Sequence, residues 1–258
     1  MNVLLKNKSE IKKIKIASKI ASEVLEMIKS YVIPNITTLE LNDICHDFII
    51  KKKAIPGCLG YQGFPKSVCI SVNDIVCHGI PNKNKKLKNG DIVNIDVTVV
   101  KNKYYSDTSK MFFVGKPSIL SKRLCYVAKK SLYLAIKVIK PEIKLYKIGE
   151  TIQKYVEKKG FSVVRDYCGH GIGRYFHEEP QILHYKSNKN NLIIKKNMVF
   201  TIEPMINAGS KSVKCMKDGW TVKTKDRSLS AQYEHTVLIT KNGCEILTKR
   251  EKENIKNN

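Results

Sequence analysis

The stretch NGDIVNIDVTVVKNKYYSDTSK, residues 89–110, decides the fold. Its first half is β-branched and alternates in polarity, the period of a half-buried strand. It predicts two strands, over about 91–100 and 104–114, joined by a short turn at Lys101-Asn102-Lys103. Asn tolerates the positive φ that a tight hairpin requires. Each strand carries one carboxylate among apolar and small neighbours, Asp96 and Asp107. A two-residue turn at 101–102 or at 102–103 puts both on the same face. They then sit directly opposite or one diagonal apart, with Cβ atoms about 4.5–8 Å from each other. Two like charges so close on a buried face repel unless a cation lies between them. On this stretch alone, a metal site stands level with a bland alternative, one acid in a turn and the other in solvent.

Working outward, 258 residues make one large domain or two small ones, with ample length for a core. A hydrophobic content of 42% and a charged content of 27% are those of an ordinary globular protein. The net charge of +24 is not ordinary. It points to an acidic partner such as a ribosome, a nucleic acid or an anionic membrane. Yet 42 of the 47 basic residues are Lys and 5 are Arg, and Ile and Asn are abundant too. Those residue types have AT-rich codons, so codon bias alone can raise the charge, and the composition favours that reading. A sequence-specific nucleic-acid reader would use the bidentate donors of Arg, and none is expected here. Residues 160–185 hold Arg165 and Arg174 but no Lys. The eight cysteines (45, 58, 69, 77, 125, 168, 215, 244) never fall at C-x2–4-C spacing, which excludes a zinc ribbon or a C-x-x-C redox motif. Nothing suggests a secreted disulfide framework. The N-terminal MNVLLKNKSEIKKIK lacks an apolar signal core, and no run approaches the roughly 18 residues of a membrane span. A reducing cytoplasm, without membrane attachment, is the expected compartment.

Along the chain, Ser9 is the predicted cap of a helix reaching about Tyr31, with Ile11, Ile14, Ile20, Val24, Leu25 and Ile28 in one apolar stripe; Pro34 ends it. A second helix covers about 38–53, capped at Thr37 or Thr38. A Gly-, Pro- and Cys-containing loop, 56–65, the segment 67–76 and the loop Cys77-His78-Gly79 lead into the hairpin. Helices over about 121–140 and 147–159 follow. Beyond them come the segment 167–177, a loop and strand within 181–193, a strand at 198–202, a β region over 220–247 and a polar, frayed tail.

Laying the two halves over each other exposes a repeat. Val32–Leu41 matches Val138–Ile148 with Pro34 over Pro141, an offset of 107. The same offset lays KNGDIVNID, 88–96, over KKNMVFTIE, 195–203, so that Asp96 falls on Glu203. With a longer insertion Asp107 finds its counterpart in Glu234. The repeat implies an α+β fold with a pseudo-twofold axis on which four carboxylates converge. Burying four negative charges together costs several kcal/mol per unpaired ion, so cations are expected among them. Carboxylates suit hard or borderline divalent ions and can bridge a pair about 3.5–4 Å apart. Three histidines join them: His170 between glycines in Cys168-Gly169-His170-Gly171-Ile172-Gly173, His177 seven residues later, and His78 beside Gly79. His46 and His184 have no such setting and are taken as structural. The G-x-G-x-G here is no dinucleotide fingerprint, because its third Gly is misplaced.

The motifs CHGIP (77–81), NIDVT (94–98), SDTSKMF (106–112), YCGHGIGR (167–174), FHEEP (176–180), FTIEPM (200–205) and WTVKTKDRSLSAQYEHT (220–236) resemble those of the type I methionine aminopeptidases of the bacterial kind, over nearly the whole chain. The resemblance implies the pita-bread fold, antiparallel sheet flanked by helices, as one catalytic domain over 1–258 with halves at about 10–116 and 120–248. It implies two divalent cations (Co, Mn, Fe or Zn): Asp96 on one, His170 and Glu203 on the other, with Asp107 and Glu234 bridging. His78 and His177 match substrate-binding, proton-handling histidines, and Cys58, Tyr61, Phe64, Cys69, Phe176 and Trp220 match a methionine pocket. Gln62 stands where His is common and Phe64 where Tyr is common; both bear on substrate preference. The implied activity is metal-dependent removal of the initiator methionine from nascent polypeptides whose second residue is small and uncharged. The enzyme would be a monomer that can dock at the ribosome through its basic surface. A Xaa-Pro peptidase of the same fold usually carries a large N-terminal domain, and here 77 residues precede His78; a type II enzyme needs an insertion for which the 25 residues between His177 and Glu203 leave no room. A non-catalytic, ribosome- or RNA-binding relative would have lost ligands that are present here.

Overall fold

The computed structural model describes residues 3–187 and 191–250. The tail expected to fray beyond Arg250, and positions 188–190 of the loop expected over 181–193, lie outside the described residues. Four helices, α1 (Lys8–Met27), α2 (Thr38–Lys51), α3 (Ile119–Val138) and α4 (Tyr146–Lys158), surround antiparallel sheets. In the opening stretch, strand Ile92–Lys101 pairs with Tyr104–Phe113 from Ile92↔Phe113 through Lys101↔Tyr104. The turn is therefore Asn102-Lys103, and both residues carry positive φ, 54° and 67°. That is the requirement of a type I′ hairpin, here met without a glycine. The register puts Asp107 opposite Thr98 and Asp96 opposite Ser109, so the two acids share a face one diagonal apart.

Alternation along the strand sorts its neighbours. Val93, Ile95, Val97 and Val99 face α1 and α2 in one apolar core with Val24, Leu25, Leu41 and Ile49. Asn94, Asp96 and Thr98 take the other face. The second half repeats this unit. Strand Val199–Ile202 pairs with His235–Ile239, and the core beneath them comes from Leu124, Leu132 and Ala135 of α3, Ile148 and Ile152 of α4, and Phe200 and Ile202. One step beyond the last ladder pair, His235↔Ile202, the same register sets Glu234 opposite Glu203. The hairpin and this second strand pair are stitched edge to edge: the Glu234 N–H donates to Ser109 O, the Thr236 hydroxyl to Asp107 O, and the Thr108 hydroxyl to Glu234 O.

Several element ends differ from expectation. Helix α1 is capped by Asn7, not Ser9: the Glu10 N–H donates to the Asn7 side chain, and the Asn7 N–H donates back to the Glu10 carboxylate. This reciprocal pair satisfies two orphan donors, and Ser9 has no Glu three residues on with which to form it. Its last turn tightens into a 3-10 turn at Ile28–Tyr31. Thr37 with Glu40 makes the same box for α2, as one of the two expected caps. Helix α3 begins earlier than expected, at Ile119, because the Ser118 side chain accepts from the Ser121 N–H. The strand expected within 181–193 lies at Glu178–Ile182.

Candidate metal centre

The loops and strands that converge between the hairpins carry the candidate residues. Asp96 and Asp107 come from the first hairpin, Glu203 and Glu234 from strand ends of the second, and His170 from the short strand Gly169–Gly171 beside Val199–Ile202. Glycine is required on both sides of His170. A Cβ on Gly169 would sit 2.4 Å from Thr201 O, and one on Gly171 would sit 2.3 Å from Glu179 O. Only bare backbone lets this strand press between its neighbours.

Asp107, His170 and Glu234 are buried, and each places a donor atom within 4.8 Å of the others. His170 Nε2 lies 3.6 Å from Glu203 Oε1. Its Nδ1–H donates to Gly171 O at 2.9 Å. A carbonyl only accepts, so the proton is fixed on Nδ1 and the Nε2 lone pair faces the acids. Burial holds the imidazole neutral by pushing its pKa down to about 3. The acids are perturbed the other way. Burial, with the neighbouring Asp107 charge, lifts Glu203 to about 8 and holds Asp96 and Glu234 well above the ordinary carboxylate range. Asp107 reaches about 6, desolvation outweighing the hydrogen bond donated by the Thr98 hydroxyl. Both Glu234 oxygens and Asp96 Oδ1 are buried with no hydrogen-bond partner. An orphaned acceptor costs about 1–3 kcal/mol, and three in one cluster mark a place suited to a cation rather than a settled core. Four carboxylates and one imidazole, with the imidazole tautomer set to ligate, fit divalent ions such as Mn, Fe, Co or Zn.

The acids lie against a cavity of ≈ 380 Å³. All six residues matched to the methionine pocket line it, with His78 and His177, and so do Asp96, Asp107, His170 and Glu203. Glu234 sits behind them. Cys58, Phe64, Cys69 and Phe176 form one apolar cluster flanked by Tyr61 and Trp220. Phe64 and Trp220 meet edge to face at 5.1 Å. The His177 ring packs on Phe176 at 4.3 Å, is 4.2 Å from the His170 ring, and its Nδ1 lies 2.7 Å from the Tyr61 hydroxyl. His78, held at φ +54°, packs edge-on to Tyr167 and Trp220; burial and the His177 ring lower its pKa to about 4. Gln62 is exposed at the rim and donates to the Tyr61 hydroxyl.

Other residues at the site escaped the sequence reading. Cys77, Cys168 and Met205 line the cavity, each beside or within two residues of one that was singled out, and so does Tyr167, three residues before His170. The Thr201 hydroxyl donates to Glu203 Oε1 at 2.8 Å and accepts from the His170 N–H at 3.0 Å; its place two residues before Glu203 on a strand was the available signal. Gln232 donates to Glu203 Oε2. His184, taken as structural, is fully buried, and its Nε2 accepts from the Glu203 N–H, so it fixes the backbone that presents this acid.

Similarity to known proteins agrees with this geometry. Residues 12–241 match the profile of metallopeptidase family M24. A methionine aminopeptidase of Buchnera aphidicola subsp. Schizaphis graminum is 69% identical over 255 residues, spanning 99% of this chain and 97% of that protein. The crystal structure of methionine aminopeptidase from Rickettsia prowazekii superposes with a TM-score of 0.94 at 52% identity, over 96% of this chain and all of that one. The prolidase of Pyrococcus horikoshii superposes at 0.77 and 23% identity, covering 96% of this chain and 64% of its own, a likeness of pita-bread fold alone. The chain belongs to metallopeptidase family M24 and, within it, to the type I methionine aminopeptidases of the bacterial kind.

Proposed function

We propose that the chain hydrolyses the first peptide bond of nascent polypeptides, releasing an N-terminal methionine when the second residue is small and uncharged. The observation that carries this is the orphaned cluster of acids and imidazole at the floor of an apolar, cysteine-lined cavity. Asp96 would hold one divalent ion, His170 and Glu203 a second, and Asp107 and Glu234 both. When bound, such ions acidify a water molecule and polarise the scissile carbonyl.

The side chains then have distinct work. Glu203, steadied by Thr201 and Gln232, takes the proton of the attacking water. A Tyr61 hydroxyl that donates to His177 Nδ1 would leave the proton on Nε2, free to donate to the carbonyl oxygen as charge develops there. His78 is neutral near pH 7, so it offers a hydrogen bond to the leaving nitrogen, and the proton that nitrogen must gain is the one Glu203 took from the water. Cys58, Tyr61, Phe64, Cys69, Phe176 and Trp220 enclose the methionine side chain, whose polarisable sulfur suits an aromatic and thiol-lined wall. The enzyme works in the reducing cytoplasm, in keeping with eight free thiols; its +24 charge, if not a product of codon bias, would serve docking at the ribosome. No helix among the described residues is long and apolar enough to cross a membrane.

Release of methionine from a Met-Ala-Ser peptide tests the reading. Asp96→Ala and His170→Ala each abolish it; a fully active variant would refute the assignment.

A further inference from the structure

His177 sits on a loop, residues 172–177, that runs into the strand Glu178–Ile182, and it is exposed beside the cavity. Part of what holds the loop comes from the N-terminal segment. Lys6 is buried, 2% exposed, and its Nζ forms an ion pair with Glu178 Oε2; the two side chains are 1% and 4% exposed. The other oxygen of the same carboxylate accepts from the N–H groups of Arg174 and Tyr175, at 2.8 and 3.1 Å, closing the turn that carries Phe176 and His177. Gly173 lets the lysine in: a Cβ there would lie 2.6 Å from Lys6 Cε. Lys6 is itself anchored, its N–H donating to Asn197 O at 2.9 Å.

A second contact runs parallel to the first. Glu10, which closes the cap of α1, accepts from Arg174 Nε at 2.5 Å and from the Tyr104 hydroxyl at 3.2 Å, and the Tyr105 N–H donates to Gly173 O at 2.8 Å. The segment 6–10 and the hairpin thus grip both ends of the His177 loop. Of these contacts Lys6–Glu178 is fully desolvated, and a pair with one partner removed leaves a buried, uncompensated charge that forces rearrangement. Glu178 is the immediate neighbour of His177, so that rearrangement reaches the ring directly.

We infer that Lys6 and Glu178 are positioning residues for His177, holding its ring against Phe176 and within reach of the Tyr61 hydroxyl. This rests on the catalytic role proposed for His177. The test compares steady-state kinetics on Met-Ala-Ser for Lys6→Met, Glu178→Gln, the doubly neutral K6M/E178Q, His177→Ala and K6M/H177A. Lys15→Met, which removes an exposed pair with Glu245, serves as control and keeps wild-type kinetics. K6M/E178Q removes both buried charges together and keeps the comparison available if a single variant does not fold.

Displacing a catalytic group by about 1 Å can lower rates a hundredfold, and K6M or K6M/E178Q is expected to lower kcat about tenfold or more. KM, and Mn2+ affinity of the metal-stripped protein measured by calorimetry, stay within about twofold, because the contacts to the loop are not contacts to the acids. Lys6→Arg restores part of the loss. In the cycle, K6M adds less than about twofold to the loss already caused by H177A, as expected of residues acting through one another. Wild-type kcat in K6M/E178Q, or equal losses from K6M with and without His177, overturns the inference while leaving His177 its role. Full activity in H177A overturns that role and the inference with it.

Discussion

At the scale of single residues, the centre is a set of protonation states imposed by burial. His170 is held neutral with its Nε2 lone pair turned to the acids, while Glu203 and Asp107 reach about 8 and 6. A carboxyl whose pKa is raised by folding stabilises the fold below its ordinary value, and that contribution is lost as pH rises through the folded value. The histidines run oppositely: His170 and His78 contribute above about 6.5, a share lost as pH falls toward 3 to 4. Between about 6.5 and 8 the acids alone titrate among these groups, so metal-stripped protein should melt progressively lower across that window. Metal must displace the same protons, so Mn2+ should bind more tightly as pH rises from 6 to 8, with proton release measurable by calorimetry in buffers of different ionisation enthalpy. A flat affinity across that range would contradict the assigned proton inventory. Tyr61→Phe removes the hydroxyl that pairs with His177 Nδ1. It should lower kcat about tenfold and disturb KM less, since a lost hydrogen bond of about 1–1.5 kcal/mol corresponds to roughly that factor.

At the scale of elements, much was legible in particular residues. The hairpin was readable because β-branched alternation is a local property. The face shared by Asp96 and Asp107 followed from the parity of a two-residue turn, and the structure selects 102–103. The offset of 107 located Glu203 because the same pattern, closing on Ile, precedes both acids. Less legible were features that depend on chain segments meeting from afar. The roles of Gln232 and His184 around Glu203 exist only once distant segments converge, and no local pattern announces them, whereas Thr201 could be read from its place two residues before Glu203. The Asn7 cap was legible as N-x-x-E, the counterpart of Thr37 with Glu40, yet Ser9 stood nearer the start of the apolar stripe. The strand bearing His170 gives its own test. Gly171→Ala drives a Cβ into Glu179 O, so the backbone must shift. Thermal unfolding should report a loss of about 1–3 kcal/mol, the usual cost of overpacking, together with weaker metal binding; an unchanged midpoint would mean the strand has more room than the structure gives it.

At the scale of the whole molecule, the site exists only where the halves meet. Two acids come from the hairpin and two from the strand pair of the second half, and the two pairs of strands are joined through Thr108, Ser109, Glu234 and Thr236. Neither half expressed alone should bind divalent metal with the affinity of the intact chain. The +24 charge belongs to this scale as well. If it serves docking, the protein should pellet with ribosomes at low salt and be released steeply as salt rises, since phosphate contacts release counterions; salt-insensitive or absent pelleting would assign the charge to codon bias. One cluster carries the proposed activity, five donors that would hold divalent cations beside the apolar cavity. Its most direct test is a metal titration of metal-stripped protein with methionine release followed in the same samples. Release from Met-Ala-Ser should be absent without metal and rise in step with occupancy, while an Ala-Pro peptide stays intact. Release that persists without metal, or metal-dependent cleavage of the Ala-Pro bond in place of Met-Ala, would contradict it.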